Sequence, residues 1–116
     1  MVILLALYSF GGLLLAGLSV PLILRKIPPN GWYGFRVRAT IDNPQLWFKV
    51  NAHAGKRLLV LGLGTAIGAI ILYYVTAQDV EKYALSCLGL FLALFLWAVI
   101  TSFLYLKTVE NKTPTL

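Results

Sequence analysis

Charged residues are scarce in this chain of 116 residues: they make up 12% of the composition, whereas hydrophobic residues make up 59%. A typical soluble domain carries about 25% charged residues, and a chain this short has too small an interior to bury so much apolar surface. The composition therefore excludes an ordinary soluble domain and favours an integral membrane protein, whose apolar side chains face lipid. The length allows a single membrane domain, which we assign to residues 1–116.

Groups that usually carry catalysis or bind metals are also scarce. His53 is the one histidine, Cys87 is the one cysteine, and the four acidic residues are scattered along the chain. A single cysteine inside an apolar run forms no intrachain disulfide, and no metal-ligand spacing surrounds it. The sequence shows no nucleophile paired with a base and no phosphate-binding loop. We therefore expect no enzymatic activity, no cofactor and no metal, and we expect His53 to be solvated.

Three long apolar runs without any charge predict three transmembrane helices, at residues 2–24, 58–75 and 84–106. A helix needs about 20 apolar residues to cross the hydrocarbon core of a bilayer. The second run is short for this purpose, and snorkelling of Lys56 and Arg57 would extend it. The first run lacks the basic start and the cleavage site of a signal peptide, so we expect it to be a span. The predicted class is an all-α integral membrane protein.

The distribution of Lys and Arg predicts the orientation. Short loops rich in these residues stay in the cytoplasm, and seven of the ten lie in the loop of residues 25–57. This bias predicts an N-terminus outside the cell and a cytoplasmic C-terminus. It also accounts for the net charge of +6, so we expect anionic lipids of the inner leaflet as partners, and no nucleic acid. The seven are Arg25, Lys26, Arg36, Arg38, Lys49, Lys56 and Arg57.

Small residues spaced by four predict where the helices pack. Residues four apart lie on one helix face, and small side chains there let two backbones approach closely. We expect most of these faces to pack within the chain, and some to be shared between copies in a homo-oligomer. The pairs are Gly12 with Ala16, Gly64 with Gly68, and Gly89 with Ala93.

The second half of the 25–57 loop has the pattern of a short amphipathic helix. Asn43 is a favourable N-cap, and Pro44 suits the first helical position. We expect this helix to lie on the membrane surface or to pack under the bundle, and we expect Gly55 to bend the chain into the second span. Its apolar face holds Leu46, Trp47, Val50 and Ala54.

The first half of the loop has a different pattern. Residues 28–31 form a turn cluster. Over residues 32–38 a period of two places aromatic side chains on one side and Arg36 and Arg38 on the other. This alternation predicts an extended segment whose arginines face phosphates, a bound anion or a carboxylate. The positive-inside bias alone would also place basic residues here, and both explanations stay open.

A family resemblance follows from these residues. Residues 29–40 read Pro-Asn-Gly-Trp-Tyr-Gly-Phe-Arg-Val-Arg-Ala-Thr, and the next segment carries Asn, Trp, Asn and Gly before Lys56. This order resembles the signature of the SdpI/YfhL family of bacterial membrane proteins, in particular its short, three-span members. The resemblance implies a cell-membrane protein that confers immunity to a membrane-active antimicrobial peptide toxin, with the loop binding the toxin or a cytoplasmic regulator. The implied site is Asn30, Gly34, Arg36, Arg38, Thr40, Asn43, Trp47, Asn51 and Gly55.

Two other functions remain open from the sequence. A small transporter or channel subunit is less favoured, because ionisable residues within spans usually mark an ion pathway and none of the three runs contains one. A scaffold that binds anionic lipid or a protein partner is compatible with immunity, since each basic residue near an anionic surface gains about 1 kcal/mol. For Asn30, Asn43 and Asn51, a fold-holding role that satisfies backbone groups is an equal alternative.

Overall fold

The computed structural model describes residues 1–31, 34–36 and 38–110, with side chains for all of these except residues 38, 39 and 110. No strand occurs among these residues. The all-helical class predicted from the sequence is therefore confirmed for the described part of the chain. Helix α1 spans Val2–Ile23, α2 spans Arg38–Ile41, α3 spans Pro44–Val75 and α4 spans Val80–Glu110.

Three of these helices, α1, α3 and α4, are long and apolar enough to cross a membrane. At about 1.5 Å per residue, the 22 residues of α1 reach about 33 Å, which is close to the ~30 Å thickness of a hydrocarbon core. The 32 residues of α3 and the 31 of α4 reach about 48 and 46 Å. Helices α3 and α4 are therefore much longer than a hydrocarbon core is thick.

The start of α3 corrects one prediction. Asn43 caps the helix as predicted, because its Oδ1 accepts a hydrogen bond from the Leu46 N–H at 3.3 Å and Pro44 follows in the first turn. The predicted interfacial helix is not separate from the second span, since α3 begins at Pro44 and runs through Gly55 without interruption. A Cβ on Gly55 would lie 3.1 Å from the Ser19 carbonyl oxygen of α1. The glycine therefore serves the packing of α3 against α1, and it does not end a helix.

The predicted extended segment also differs from the structure. Arg38 lies in the short helix α2, so the alternation ends before that residue. Thr40 also lies in α2, and its hydroxyl donates a hydrogen bond to the Phe35 carbonyl oxygen at 3.0 Å. Trp32, Tyr33 and Val37 lie outside the described residues.

Helix α3 lies at the centre of the molecule, because α1 and α4 both pack extensively on it and have few direct contacts with each other. Helix α1 crosses α3 where Gly12 faces Gly62. A Cβ on Gly12 would lie 2.9 Å from the Ala66 nitrogen, and one on Gly62 would lie 2.7 Å from the Ala16 nitrogen. These distances are too short for a side chain, so the crossing depends on both glycines. Gly62 was not among the predicted packing residues.

The other small-residue pairs divide between two environments. Gly64 and Gly68 face α4, and a Cβ on Gly64 would lie 2.8 Å from Leu94 Cδ1. Gly89 and Ala93 lie on an exposed face of α4, and no described atom is within 4 Å of a Cβ built on Gly89. Gly64 and Gly68 thus face a helix of their own chain, whereas the Gly89–Ala93 face has no neighbour in the described part of the molecule.

At one end, α3 and α4 continue together past the end of α1. Leu46 and Val50 of α3 form a buried cluster there with Leu106 and Val109 of α4. We call residues 24–57 and 103–110 the basic end, because most of the described Lys and Arg residues belong to it. Its exposed basic residues are Arg25, Lys26, Arg36, Lys49, Lys56 and Lys107.

Candidate functional site

The backbone of Phe35 is held by the side chain of Asn51 in α3. The Phe35 N–H donates to Asn51 Oδ1 at 2.5 Å, and Asn51 Nδ2 donates to the Phe35 carbonyl oxygen at 3.4 Å. The same Nδ2 also donates to the Trp47 carbonyl oxygen at 3.0 Å. Asn51 is buried, and buried polar groups of this kind are costly when unpaired. The amide therefore fixes the loop to α3 and also satisfies its own donors and acceptor.

Two further motif side chains hold the same loop. Thr40 donates to the Phe35 carbonyl oxygen, which thus accepts from both Thr40 and Asn51. Trp47 Nε1 donates to the Ile27 carbonyl oxygen at 2.7 Å and ties down the stretch that follows α1. Thr40 and Trp47 are both fully buried. Thr40 and Asn51 therefore bind the backbone of Phe35, and Trp47 binds the backbone of Ile27 in the same loop.

Gly34 is required at its position for two reasons. Its φ of +115° lies in a region that side chains rarely adopt. In addition, a Cβ there would lie 2.8 Å from Asn51 Oδ1 and 3.2 Å from the Trp47 ring. Any other residue would strain the backbone and push apart the side chains that hold the loop.

The hydrogen bonds of Asn51, Thr40 and Trp47 form a network that positions the ring of Phe35. The ring packs edge-to-face against Phe103 of α4, with 5.0 Å between ring centroids and 69° between ring planes. It also packs against the buried cluster of the basic end. The sequence pattern treats Phe35 as one of several alternating aromatics, and only its place between Gly34 and Arg36 in the motif distinguishes it.

Asn30, Arg36, Asn43 and Gly55 make the described contacts that follow. Asn30 Nδ2 donates to the Pro28 carbonyl oxygen at 2.9 Å. Arg36 is exposed, and its guanidinium donates to the Gly31 carbonyl oxygen. Asn43 and Gly55 act in α3, as cap and as packing residue. The side chain of Arg38 lies outside the described residues.

Two apolar pockets lie between α1 and α4, with α3 as their floor, and we call the two together the crevice. Its inner part, next to the basic end, has a volume of about 330 Å³ and is bounded by Gly34 and Phe35. Its outer part has a volume of about 460 Å³ and includes Thr65. The Thr65 hydroxyl is buried and has no hydrogen-bond partner among the described residues. Other lining residues are Leu18, Leu22, Leu58, Leu61, Phe95, Val99, Gly11, Gly12, Leu15, Leu88 and Phe91.

A second cluster of side chains lies where α3 meets α4, on residues that do not line the crevice. His53 stacks on Tyr105, with 3.9 Å between ring centroids and 5° between planes. Arg57 lies over the ring of Trp97 at 4.9 Å. Burial, followed by the charges of Arg57 and Lys56, lowers the pKa of His53. His53 is thus stacked and half-buried, and it is not the solvated residue expected from the sequence.

No metal site is evident in the described part of the chain, where no three His, Cys, Asp or Glu residues come together. The geometry defines a helical protein with three helices of membrane-spanning length and a loop held by buried polar side chains at one end. The family model described as "SdpI/YfhL protein family" matches residues 26–105. This range covers most of the chain, including the loop, α2 and α3, and the chain belongs to the SdpI/YfhL family. Comparisons with curated proteins and with solved structures give no significant match.

Proposed function

We propose that this chain is an immunity protein of a bacterial cell membrane, which protects the cell from a membrane-active antimicrobial peptide. Membership of the SdpI/YfhL family supports this proposal. The observation that carries it is the apolar crevice, whose inner part is bounded by the motif residues Gly34 and Phe35. In the proposed orientation the N-terminus lies outside the cell and the basic end lies in the cytoplasm.

The crevice suits a peptide helix that has entered the membrane. Amphipathic helices bind by placing apolar side chains in grooves of this kind. Gly11 lines the outer part, and a Cβ on it would meet nothing within 4 Å, so a partner backbone can approach closely there. The buried hydroxyl of Thr65 lacks a partner among the described residues, and a peptide carbonyl would satisfy it, whereas a lipid tail would not.

The motif has a defined part in this proposal. Hydrogen bonds with Asn51 and Thr40 fix the Phe35 backbone, and the Phe35 ring then forms part of the crevice wall. A rigid wall lowers the entropic cost of binding. The polar motif residues therefore act as positioning residues, and Phe35 is the group that contacts the peptide.

A protection assay tests the proposal. A bacterial strain that is sensitive to a membrane-active antimicrobial peptide is expected to survive at least tenfold more of that peptide when it expresses the wild-type chain. Phe35→Ala removes the ring at the crevice, and we expect it to abolish most of this protection. Phe10→Ala is the matched control, because Phe10 is 70% exposed on α1 and lines neither part of the crevice.

Membrane insertion of each variant is verified by fractionation and immunoblotting. Killing of cells that hold inserted wild-type protein, at the same dose as cells without it, would overturn the immunity function. Full protection by Phe35→Ala would leave immunity standing and would overturn the crevice as its site.

The exposed charges of the basic end favour a second role that is compatible with the first. Lys26, Lys49 and Lys56 are among several cations exposed there, and each would gain about 1 kcal/mol near an anionic surface. This charge suits a cytoplasmic regulator with an acidic surface. Cross-linking in cells that identifies an acidic partner, and its loss on combined Lys26→Glu and Lys49→Glu substitution, would support this role.

A further inference from the structure

Arg57 has an unusual environment for a cation at the end of a membrane span. It is half-buried between α3 and α4, directly before the charge-free run of residues 58–75. The ring of Trp97 covers one face of the guanidinium. Arg57 Nη2 lies 3.1 Å from His53 Nε2, and His53 in turn stacks on Tyr105. The guanidinium is therefore held in one orientation by two side chains, Trp97 and His53.

The hydrogen bond fixes the protonation state of the pair. Arginine has donors only, so His53 Nε2 must accept, and the proton of the neutral imidazole lies on Nδ1. This assignment agrees with the lowered pKa of His53, which results from burial and from the charges of Arg57 and Lys56. His53 consequently supplies no negative charge to balance Arg57.

The positive charge of Arg57 is not balanced within the described part of the chain. The ion pair found there joins Lys82 to Asp79, near the start of α4. Arg57 Nε is buried without a hydrogen-bond partner, whereas Nη1 is not buried and has none among the described residues. A half-buried cation without a counter-charge is costly, so this arrangement calls for an external anion.

We propose that Arg57 binds the phosphate group of an anionic phospholipid at the inner end of the second span. A planar guanidinium pairs with phosphate oxygens through two N–H donors. Because Nε is buried and one N–H of Nη2 is directed at His53, the donors left for phosphate are those of Nη1 and the second N–H of Nη2. Arg57 lies where the charge-free run meets the basic end, which is the depth expected for headgroups. Lipid tails would lie along exposed apolar side chains of the adjoining turns, such as Val60, Ile100 and Leu104.

Lys56 provides a matched control for this site. It is exposed, lies next to Arg57 in the sequence and carries the same charge. A general attraction of basic residues to anionic lipid predicts equal effects from the loss of either charge. A specific phosphate site at Arg57 predicts that loss of Arg57, and not of Lys56, weakens lipid binding. It also predicts that Arg57→Lys weakens binding, because lysine lacks the planar pair of donors.

The test measures lipid binding to the purified full chain in neutral detergent by native mass spectrometry. The probes are phosphatidylglycerol, phosphatidylcholine and inorganic phosphate. We expect wild type to bind phosphatidylglycerol in preference to phosphatidylcholine, and Arg57→Ala to weaken this binding at least tenfold. Lys56→Ala is expected to change it less than twofold, and Lys56→Arg not at all. Arg57→Lys, which keeps the charge, decides the question if Arg57→Ala does not fold.

Each outcome separates the alternatives. Binding of phosphatidylglycerol that depends on Arg57 supports a lipid site. Binding of inorganic phosphate alone, with the same dependence, supports a site for a soluble phosphate compound. Equal losses from Arg57→Ala and Lys56→Ala, or unchanged binding in Arg57→Lys and Arg57→Ala, would overturn the proposal. This result is independent of the toxin assay, because Arg57 does not line the crevice.

Discussion

At the scale of single residues, the motif is a set of contacts made to one loop. Asn51 and Thr40 bind the backbone of Phe35, and Trp47 binds that of Ile27. Gly34 leaves the space that these side chains occupy. The fold-holding alternative considered for the asparagines thus has a clear structural basis for Asn51 and for the cap Asn43.

Gly34→Ala tests the need for glycine in this loop. The positive φ costs about 1–3 kcal/mol for a residue with a side chain, and the contact with Asn51 adds to this. We expect the free energy of unfolding, measured by SDS titration in mixed micelles, to fall by about 2 kcal/mol or more. Gly31→Ala is the control, because a Cβ on Gly31 would meet nothing within 4 Å. A loss of similar size in both variants would contradict this account.

His53 gives the stability a pH dependence. Its pKa is lowered from 6.5 in the folded state, chiefly by burial and then by Arg57 and Lys56, so below about pH 6.5 the unfolded state binds more protons. We expect stability in neutral detergent to be constant from pH 8 to about 6.5 and to fall as the pH decreases further. The stability of His53→Gln should not show the decrease below about pH 6.5 that protonation of His53 causes. Parallel pH profiles for wild type and His53→Gln would show that His53 is not the cause.

At the scale of helices, the apolar runs predict the three long helices well, because hydropathy and length alone determine which segments can cross lipid. The start of α3 was also predictable, since Asn43 and Pro44 act locally. Its continuity through Gly55 was not, because a glycine beside charged residues usually marks a break. Only the contact with Ser19 of α1 shows why the glycine lies within a helix.

The role of Phe35 could not be predicted for a similar reason. Its partners Asn51 and Phe103 are 16 and 68 residues away in the sequence. A local alternation of aromatic and basic residues carries no information about such contacts. The stacking of His53 on Tyr105 and the position of Arg57 over Trp97 were missed in the same way.

The crossing of α1 and α3 gives a test at this scale. Gly62→Ala places a Cβ 2.7 Å from the Ala16 nitrogen, and overpacking of this kind costs about 1–3 kcal/mol. We expect lower stability in the same SDS titration, and a weaker α1–α3 contact by cysteine cross-linking. Gly89→Ala is the matched control, because its helix face is open and alanine favours a helix by up to about 1 kcal/mol. Greater destabilisation by Gly89→Ala than by Gly62→Ala would reverse the assignment of the two faces.

At the scale of the whole molecule, the two ends differ in chemistry. The molecule is 55 Å long, so a hydrocarbon core of ~30 Å leaves roughly 25 Å, which accommodates the basic end. Near the opposite end, Ala69, Tyr83 and Cys87 form a buried cluster that also contacts the first turns of α1. The crevice lies along the apolar part between the two ends, and the motif loop bounds its inner part.

Asn51 holds the Phe35 ring against α4 through its hydrogen bonds with the Phe35 backbone. Nuclear Overhauser spectroscopy on phenylalanine-labelled protein in micelles tests it most directly, with peaks assigned through Phe35→Leu and Phe103→Leu. We predict a cross-peak between the Phe35 and Phe103 rings, whose centroids are 5.0 Å apart, and its loss in Asn51→Ala with unchanged helical circular dichroism. Absence of the cross-peak in the wild-type protein, or its persistence in Asn51→Ala, would contradict the claim.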